Sequence, residues 1–219
     1  MKAILIPVKD LAQAKRRLAS SMPQEARTRL ARAMLEDVFS AVAGVRASIP
    51  VFVVSSDATV LAAARARGWE CLPETTQHSE NHSVDTASRL CASRGVTALL
   101  RIPIDIPLVR PADIEAVLAA CPRAPGAVLV PSRSASGTNA LLRTPPDLFP
   151  SHFGPGSLNK HLEEIGRRRA YARLLRNPRI ELDVDDERDL RALASHRDLG
   201  EHTAAVLRGL RLRRRAAHS

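Results

Sequence analysis

Aromatic residues are scarce: one tryptophan, one tyrosine and four phenylalanines make up 3% of the 219-residue chain. The core must therefore be filled by Leu, Val, Ile and Ala. The same scarcity argues against a binder of single-stranded nucleic acid, which stacks bases on aromatic rings. No apolar run approaches the roughly 20 residues that cross a bilayer, so no membrane segment is expected. There is no GxGxxG turn, which argues against NAD, and no GxxxxGK[ST], so this is not a P-loop protein. Only three cysteines occur, Cys71, Cys91 and Cys121, and no pair has zinc-ligand or redox spacing. An odd count without a signal-peptide pattern predicts reduced thiols in the cytoplasm, each acting as a small hydrophobe. Internal repeats, low-complexity linkers and domain boundaries are not evident.

What is present suits one sizeable core: 45% of the residues are hydrophobic. A single domain over residues 1–205 is expected, followed by a basic tail over 206–219. The net charge is +10, and Arg208, Arg211, Arg213, Arg214 and Arg215 in that tail supply half of it. The tail is expected to be solvated and frayed. The rival reading is an RNA-binding module that uses the tail. The remaining positive excess suits an enzyme that handles phosphorylated substrates.

Strand and helix patterns alternate along the chain. Apolar runs at Ala3–Val8, Val51–Asp57, Cys71–Pro73, Ala98–Asp105 and Ala127–Ser132 read as strands. Amphipathic segments between them read as helices. The first helix has a candidate capping box, Ser21 with Gln24, and ends near Gly44. Residues Glu74–Ser83 read as a polar loop, and Arg179–Asp185 as a late strand. The alternation predicts an α/β, three-layer Rossmann-like sandwich around a mostly parallel sheet.

In such a sheet ligands bind beyond the carboxyl ends of the strands. Asp105 lies there, framed by Pro103 and Pro107, which stiffen the backbone. The "LDVDD" run adds Asp183 and Asp185, which share a face if the segment is extended, and Asp186, a candidate helix cap. One of Asp183 and Asp185, converging with Asp105, makes a hard-oxygen site suited to magnesium.

Magnesium with few carboxylates usually accompanies phosphates. The loop after the first strand carries Lys9, Lys15, Arg16 and Arg17. Pro7, Ser55 and Asp57, at the ends of the first two strands, are expected to complete a nucleotide site with them. "SGTNAL" and "FGPGS" combine glycine with hydroxyls. Thr138 and Ser157 can donate to phosphate oxygens, Gly154 permits close approach, and Ser157 opens a helix whose N-terminus favours anions. His82 lies within reach of a ligand, whereas His78, His152 and His161 are expected at the surface.

Taken in order, "IPVKxxxxAKxRL", "PxDxPL", "GTNAL", "FGPGS" and "LDVD" resemble the phospholactate guanylyltransferase family of deazaflavin coenzyme F-420 biosynthesis, from about Ala3 to Leu193. The resemblance implies the glycosyltransferase-A-like, nucleotide-diphospho-sugar transferase type of fold. It implies transfer of GMP from GTP to a small phosphorylated three-carbon acid with release of pyrophosphate. The acid would be 2-phospho-L-lactate, phosphoenolpyruvate or 3-phospho-D-glycerate. By this match Lys9, Lys15 and Arg17 hold the GTP phosphates, with Lys15, Arg17 and Asp105 catalytic. Asp105, Asp183 and Asp185 hold Mg2+, and Thr138, Gly154 and Ser157 bind the acceptor's phosphate and carboxylate. The implied partners are GTP and the acid, not nucleic acid or membrane, with a homodimer left open. A molybdopterin or sugar-phosphate nucleotidyltransferase is the nearest rival, but its glycine-rich first loop is missing. The chain departs from the family pattern at "ENHSVDTASRL", where His82, Ser83 and Asp85 replace a leucine–asparagine helix start, a change bearing on base or acceptor recognition. It departs again at Ile104, where alanine is usual.

Overall fold

The computed structural model describes residues 1–76 and 78–216, and of Gln13 and 211–216 the backbone alone. Buried apolar runs build one seven-stranded sheet. β1 (Lys2–Val8), β2 (Val51–Ser55), β3 (Glu70–Pro73) and β4 (Ala98–Arg101) are parallel, in the order β3-β2-β1-β4. β6 (Thr138–Thr144) runs antiparallel between β4 and β5 (Gly126–Pro131), and β7 (Tyr171–Leu174) closes the far edge parallel to β5. The sheet is mostly parallel, as expected, with β6 as its antiparallel member.

Alternation along β1 sorts its side chains to the two faces. Ile4, Ile6 and Val8 join Val38, Phe39 and Val42 of α1 (Gln24–Ala43), together with residues of α2 (Ala58–Arg65) and α4 (Pro111–Ala119). Ala3 and Leu5 face the other way, onto Val84 and Ala87 of α3 (Glu80–Ser93). Beyond them on that side, Leu129 and Leu141 meet Leu158 and Ile165 of α5 (Ser157–Arg167). Helices thus cover both faces, giving three layers. Cys91 is buried as expected, and its thiol is pushed up to about 11 by burial; Cys71 and Cys121 are half-buried.

Local structure departs from the sequence expectations in five places. α1 begins after Pro23, and the Ser21 hydroxyl donates to Leu18 O, so the Ser21–Gln24 capping box does not form. α3 starts three residues before the end of the expected loop because the Ser79 hydroxyl accepts from His82 N–H. β4 stops at Arg101, before Pro103, which has no N–H to continue the ladder. Residues 182–185 follow a single helical turn, α6 (Pro178–Glu181), and form no strand of the sheet. Finally, the backbone of residues 206–216 is helical and continues α8 (Glu201–Ala216). The side chains of 211–216 and all of 217–219 lie outside the described residues.

α8 is fastened at its start by α1. The Asp37 carboxylate accepts from His202 N–H at 3.1 Å and Thr203 N–H at 2.8 Å, satisfying two donors that a helix leaves unpaired. Leu207 is buried in a cluster with Leu30 and Met34 of α1 and with Leu193 of α7 (Glu187–Ser195). A Cβ at Gly200 would overlap the Asp37 carboxylate, so a side chain there would displace the carboxylate from the α8 donors. Replacing Asp37 by Ala should cost about 1–2 kcal/mol, as other cap losses do. For a chain of this size that is a fall of about 2–8 °C in Tm, readable by differential scanning calorimetry. An unchanged Tm would mean that α8 is held by its apolar face alone.

Candidate active site

The carboxyl ends of β1 and β4 open into two cavities that share the walls Glu80, Arg101, Pro103 and Asp105. One, of about 600 Å³, is lined by Pro7, Lys9, Lys15 and Arg16. The other, of about 680 Å³, is lined by Thr138, Gly154, Ser157, Asp183 and Asp185, with Arg17 and Arg133 also in its wall.

Asp105 and the LDVD segment are joined by one backbone hydrogen bond, Val184 N–H to Asp105 O at 3.0 Å. Leu182 and Val184 are buried and the aspartates between and beyond them are partly exposed, so the segment keeps the alternation of an extended chain without a sheet ladder. This directs Asp183 and Asp185 to the cleft. Asp186 instead caps α7, accepting from Arg188 N–H and Asp189 N–H. Lys15 stands between the carboxylates: its ammonium is 3.4 Å from Asp105 Oδ2 and 3.7 Å from Asp185 Oδ1. Arg17 Nη1 lies 3.4 Å from Asp185 Oδ2.

Lys15 pays for its place with backbone strain, at φ 54° and ψ 45°. Its carbonyl is held by Leu18 N–H and Arg27 Nη1. The carboxylates remain short of positive charge. Burial, and next the charge of Asp105, raise Asp183 to about 6, against a hydrogen bond from Asn139. Burial and Asp105 also raise Asp185, against Lys15 and Arg17. Three hard oxygen donors, two of them with ionisation disfavoured by the charge of Asp105, fit a divalent cation chemically. They do not stand as a closed cage: among the described residues no three His, Cys, Asp or Glu side chains have metal-ligand spacing.

The far wall is built of hydroxyls. Ser157 Oγ accepts from Thr138 N–H at 2.8 Å. Thr138 Oγ1 lies 3.0 Å from His161 Nδ1, and His161 Nε2 accepts from His152 N–H at 3.0 Å. Since Nε2 accepts, the neutral ring carries its proton on Nδ1 and donates it to Thr138. Both hydroxyls thus have an acceptor role filled, leaving their own protons for a cleft anion. Gly154, at φ 115°, takes a turn that a side chain would strain, and Gly156 precedes the first turn of α5.

Most of the predicted residues line these cavities: Pro7, Lys9 and Lys15 one of them, Arg17, Thr138, Gly154, Ser157, Asp183 and Asp185 the other, and Asp105 both. Ser55 and Asp57 line neither. Ser55 is fully buried, with its hydroxyl accepting from Asp57 N–H, and Asp57 caps α2 through Thr59 N–H and Val60 N–H. A strand-end position favours ligands only if the side chain faces the cleft, and these two serve the β2–α2 turn. His161 is likewise not a surface residue but fully buried. Sequence reasoning missed Arg101 and Asn139. Asn139 Nδ2 donates to Ile180 O, Glu181 O and Asp183 Oδ1, tying β6 to the LDVD segment; its place in "GTNAL" was the available signal.

The whole chain, residues 1–219, matches the family model described as guanylyl transferase CofC like. The chain belongs to the CofC-like guanylyl transferase family. This member is 38% identical over 191 residues to a phosphoenolpyruvate guanylyltransferase of Rubrobacter xylanophilus, covering 86% of this chain and 91% of the relative. It is 31% identical to a 2-phospho-L-lactate guanylyltransferase of Methanothermobacter thermautotrophicus, over 94% and 90% of the two chains. In fold it is similar to a Desulfovibrio desulfuricans G20 protein described as a nucleotide-diphospho-sugar transferase, with TM-score 0.76, 18% identity and coverage of 95% and 94%. It is also similar to CMP:2-keto-3-deoxy-manno-octonic acid synthetase complexed with CTP, with TM-score 0.57, 14% identity and coverage of 87% and 95%. The CofC-like chain is thus a nucleotidyltransferase on an α/β sheet, and no described helix is long and apolar enough to cross a membrane.

Burial, and then the nearby Arg143, push His161 down from 6.5 to about 3. The stability of its neutral form is fully present above pH 6.5 and is lost as pH falls from there towards 3. The Tm of the wild type should therefore fall more steeply between pH 6.5 and 4 than that of His161→Gln. Parallel Tm–pH curves would remove the buried imidazole from the acid sensitivity.

Proposed function

We propose that the protein transfers GMP from GTP to the phosphate of a small phosphorylated three-carbon acid, in coenzyme F-420 biosynthesis. The observation that carries this reading is the juxtaposition, across one cleft, of a lysine-bridged carboxylate cluster and a hydroxyl-lined anion cradle at a helix start. The names of its relatives support guanosine as the nucleoside and phosphoenolpyruvate or 2-phospho-L-lactate as the acid.

A phosphate oxygen of the acid attacks the α-phosphorus of GTP, the bond to the β-phosphate oxygen breaks, and pyrophosphate leaves. The attacking oxygen is already anionic near neutral pH, so no general base is needed. Catalysis is then positioning with charge neutralisation. Thr138 and Ser157 hold the acceptor by their free hydroxyl protons, and Gly154 admits it close to the backbone. Lys9, Lys15 and Arg17 grip the triphosphate, with Lys15 and Arg17 offsetting the charge that builds on pyrophosphate. Asp105, Asp183 and Asp185 would hold Mg2+, which when bound supplies Lewis-acid and templating chemistry at the phosphates.

Incubation with GTP, magnesium and, separately, 2-phospho-L-lactate, phosphoenolpyruvate and 3-phospho-D-glycerate should yield a diphosphate-linked guanosine adduct detectable by mass. No adduct with any of the three overturns the proposal. Asp105→Asn should lower pyrophosphate release by about 10²–10³-fold while Tm is held; a folded variant of normal activity takes Asp105 out of the reaction.

A further inference from the structure

Residues 150–153, which lead into Gly154, form no helix or strand. Three successive backbone N–H groups in this strap are nevertheless each taken by a side chain. Ser151 N–H donates to Asp85 Oδ1 at 2.9 Å, His152 N–H to His161 Nε2 at 3.0 Å, and Phe153 N–H to Asn81 Oδ1 at 2.7 Å. The acceptors come from α3, α5 and α3 in turn. The strap is therefore strung between two helices by side chains, which replace the ladder bonds that fix a strand.

Asn81 holds its residue from both sides. Its Oδ1 accepts from Phe153 N–H while its Nδ2 donates to Phe153 O at 3.3 Å, so one planar amide matches the donor and the acceptor of one backbone residue. Asp85 is steadied in turn by the buried Arg143, whose Nη1 is 3.6 Å away. Ser83, the neighbouring departure from the family pattern, is turned away from the strap and donates to Glu74 Oε1 at 2.6 Å. Asn81 lines neither of the two cavities, so it reaches a ligand only through Phe153.

The cradle needs both ends of its turn fixed. Beyond Gly154, Ser157 N–H donates to Gly154 O at 3.1 Å and Leu158 N–H to Ser136 O at 3.2 Å, which ties the far end to the loop before β6. The near end is tied at Phe153. Between them Gly154, at φ 115°, has the backbone freedom to swing away from the Thr138 and Ser157 hydroxyls. In a binding site a misplacement of about 1 Å can cost on the order of 10²-fold.

We propose that Asn81 is a positioning residue for the acceptor: by clamping Phe153 it sets the Gly154 turn against Thr138 and Ser157, and so governs acceptor affinity from outside the cleft. The inference rests on the reaction proposed above but concerns a residue outside both cavities. The competing hold on the strap is the Phe153 side chain, which packs against the Arg101 guanidinium at 4.0 Å and edge-on to the His161 ring at 5.2 Å. If that packing sufficed, the Asn81 amide would be dispensable.

The test follows pyrophosphate release with GTP, magnesium and whichever of the three acids gives the adduct. Asn81→Ala should raise the KM for the acid by about tenfold or more, the scale on which two hydrogen bonds hold a segment, with the KM for GTP within about twofold of the wild type. Amide exchange followed by NMR should show Phe153 N–H losing its protection while Ser151 and His152 keep theirs. Asp37→Ala, which weakens the remote start of α8, should lower Tm and leave the KM for the acid unchanged. If Asn81→Ala does not fold, Asn81→Gln carries the test: it keeps the amide but displaces it by one methylene, and should raise the KM for the acid at least about threefold. An unchanged KM for the acid in the folded Asn81 variant overturns the role of Asn81 and leaves the proposed reaction intact. An equal rise in both KM values, or the same rise in Asp37→Ala, overturns it too, because the loss then tracks general damage. A wild type that makes no adduct overturns that reaction and this inference together.

Discussion

The site depends on the contact that brings Asp105 beside the LDVD segment. Its backbone link is the hydrogen bond from Val184 N–H to Asp105 O, made between two segments outside the sheet ladders. Apolar burial supports it from below, since Val184 and Leu182 pack with Leu108, three residues beyond Asp105. Asn139 reaches across from β6 to the same segment. These contacts hold Asp105 and Asp185 within reach of the Lys15 ammonium, with Asp183 close enough to feel the like charge of Asp105.

That repulsion is a cost to the fold. Asp183 and Asp185 are both raised by burial and by Asp105. Lys15 offsets part of the cost from a left-handed backbone conformation that disfavours a side chain of its type. Like charges crowded together and a strained lysine aimed at them are poor economy for stability alone. They suit a site that receives a polyanion with its counter-cation.

The opposite wall is arranged differently. Its polar groups are neutral and nearly all matched: a backbone N–H on Ser157, an imidazole on Thr138, a backbone N–H on that imidazole. The chain of donors fixes direction, so each hydroxyl proton is left for the cleft. Burial keeps His161 neutral, which this directionality requires, because a protonated ring could not accept from His152 N–H. One wall therefore works by charge and the other by oriented dipoles, and Arg101 stands where they meet.

The sequence by itself determined the three-layer α/β class, through alternating apolar runs and amphipathic segments, and it exposed Asp105, Lys15, Thr138, Ser157 and the LDVD aspartates, because short motifs carry their chemistry locally. It also suggested, through residue alternation, that Asp183 and Asp185 share a face, and they do so without belonging to a strand. Only the tertiary structure decided that Ser55 and Asp57 serve a turn, that His161 is buried, that residues 206–216 continue a helix held by Asp37, and that Arg101 occupies the wall between the cavities. The physical reason is the same in each case. Which side of an element faces the cleft, and which distant partner completes a buried hydrogen bond or ion pair, depends on packing between segments far apart in the chain, and local pattern carries no record of it.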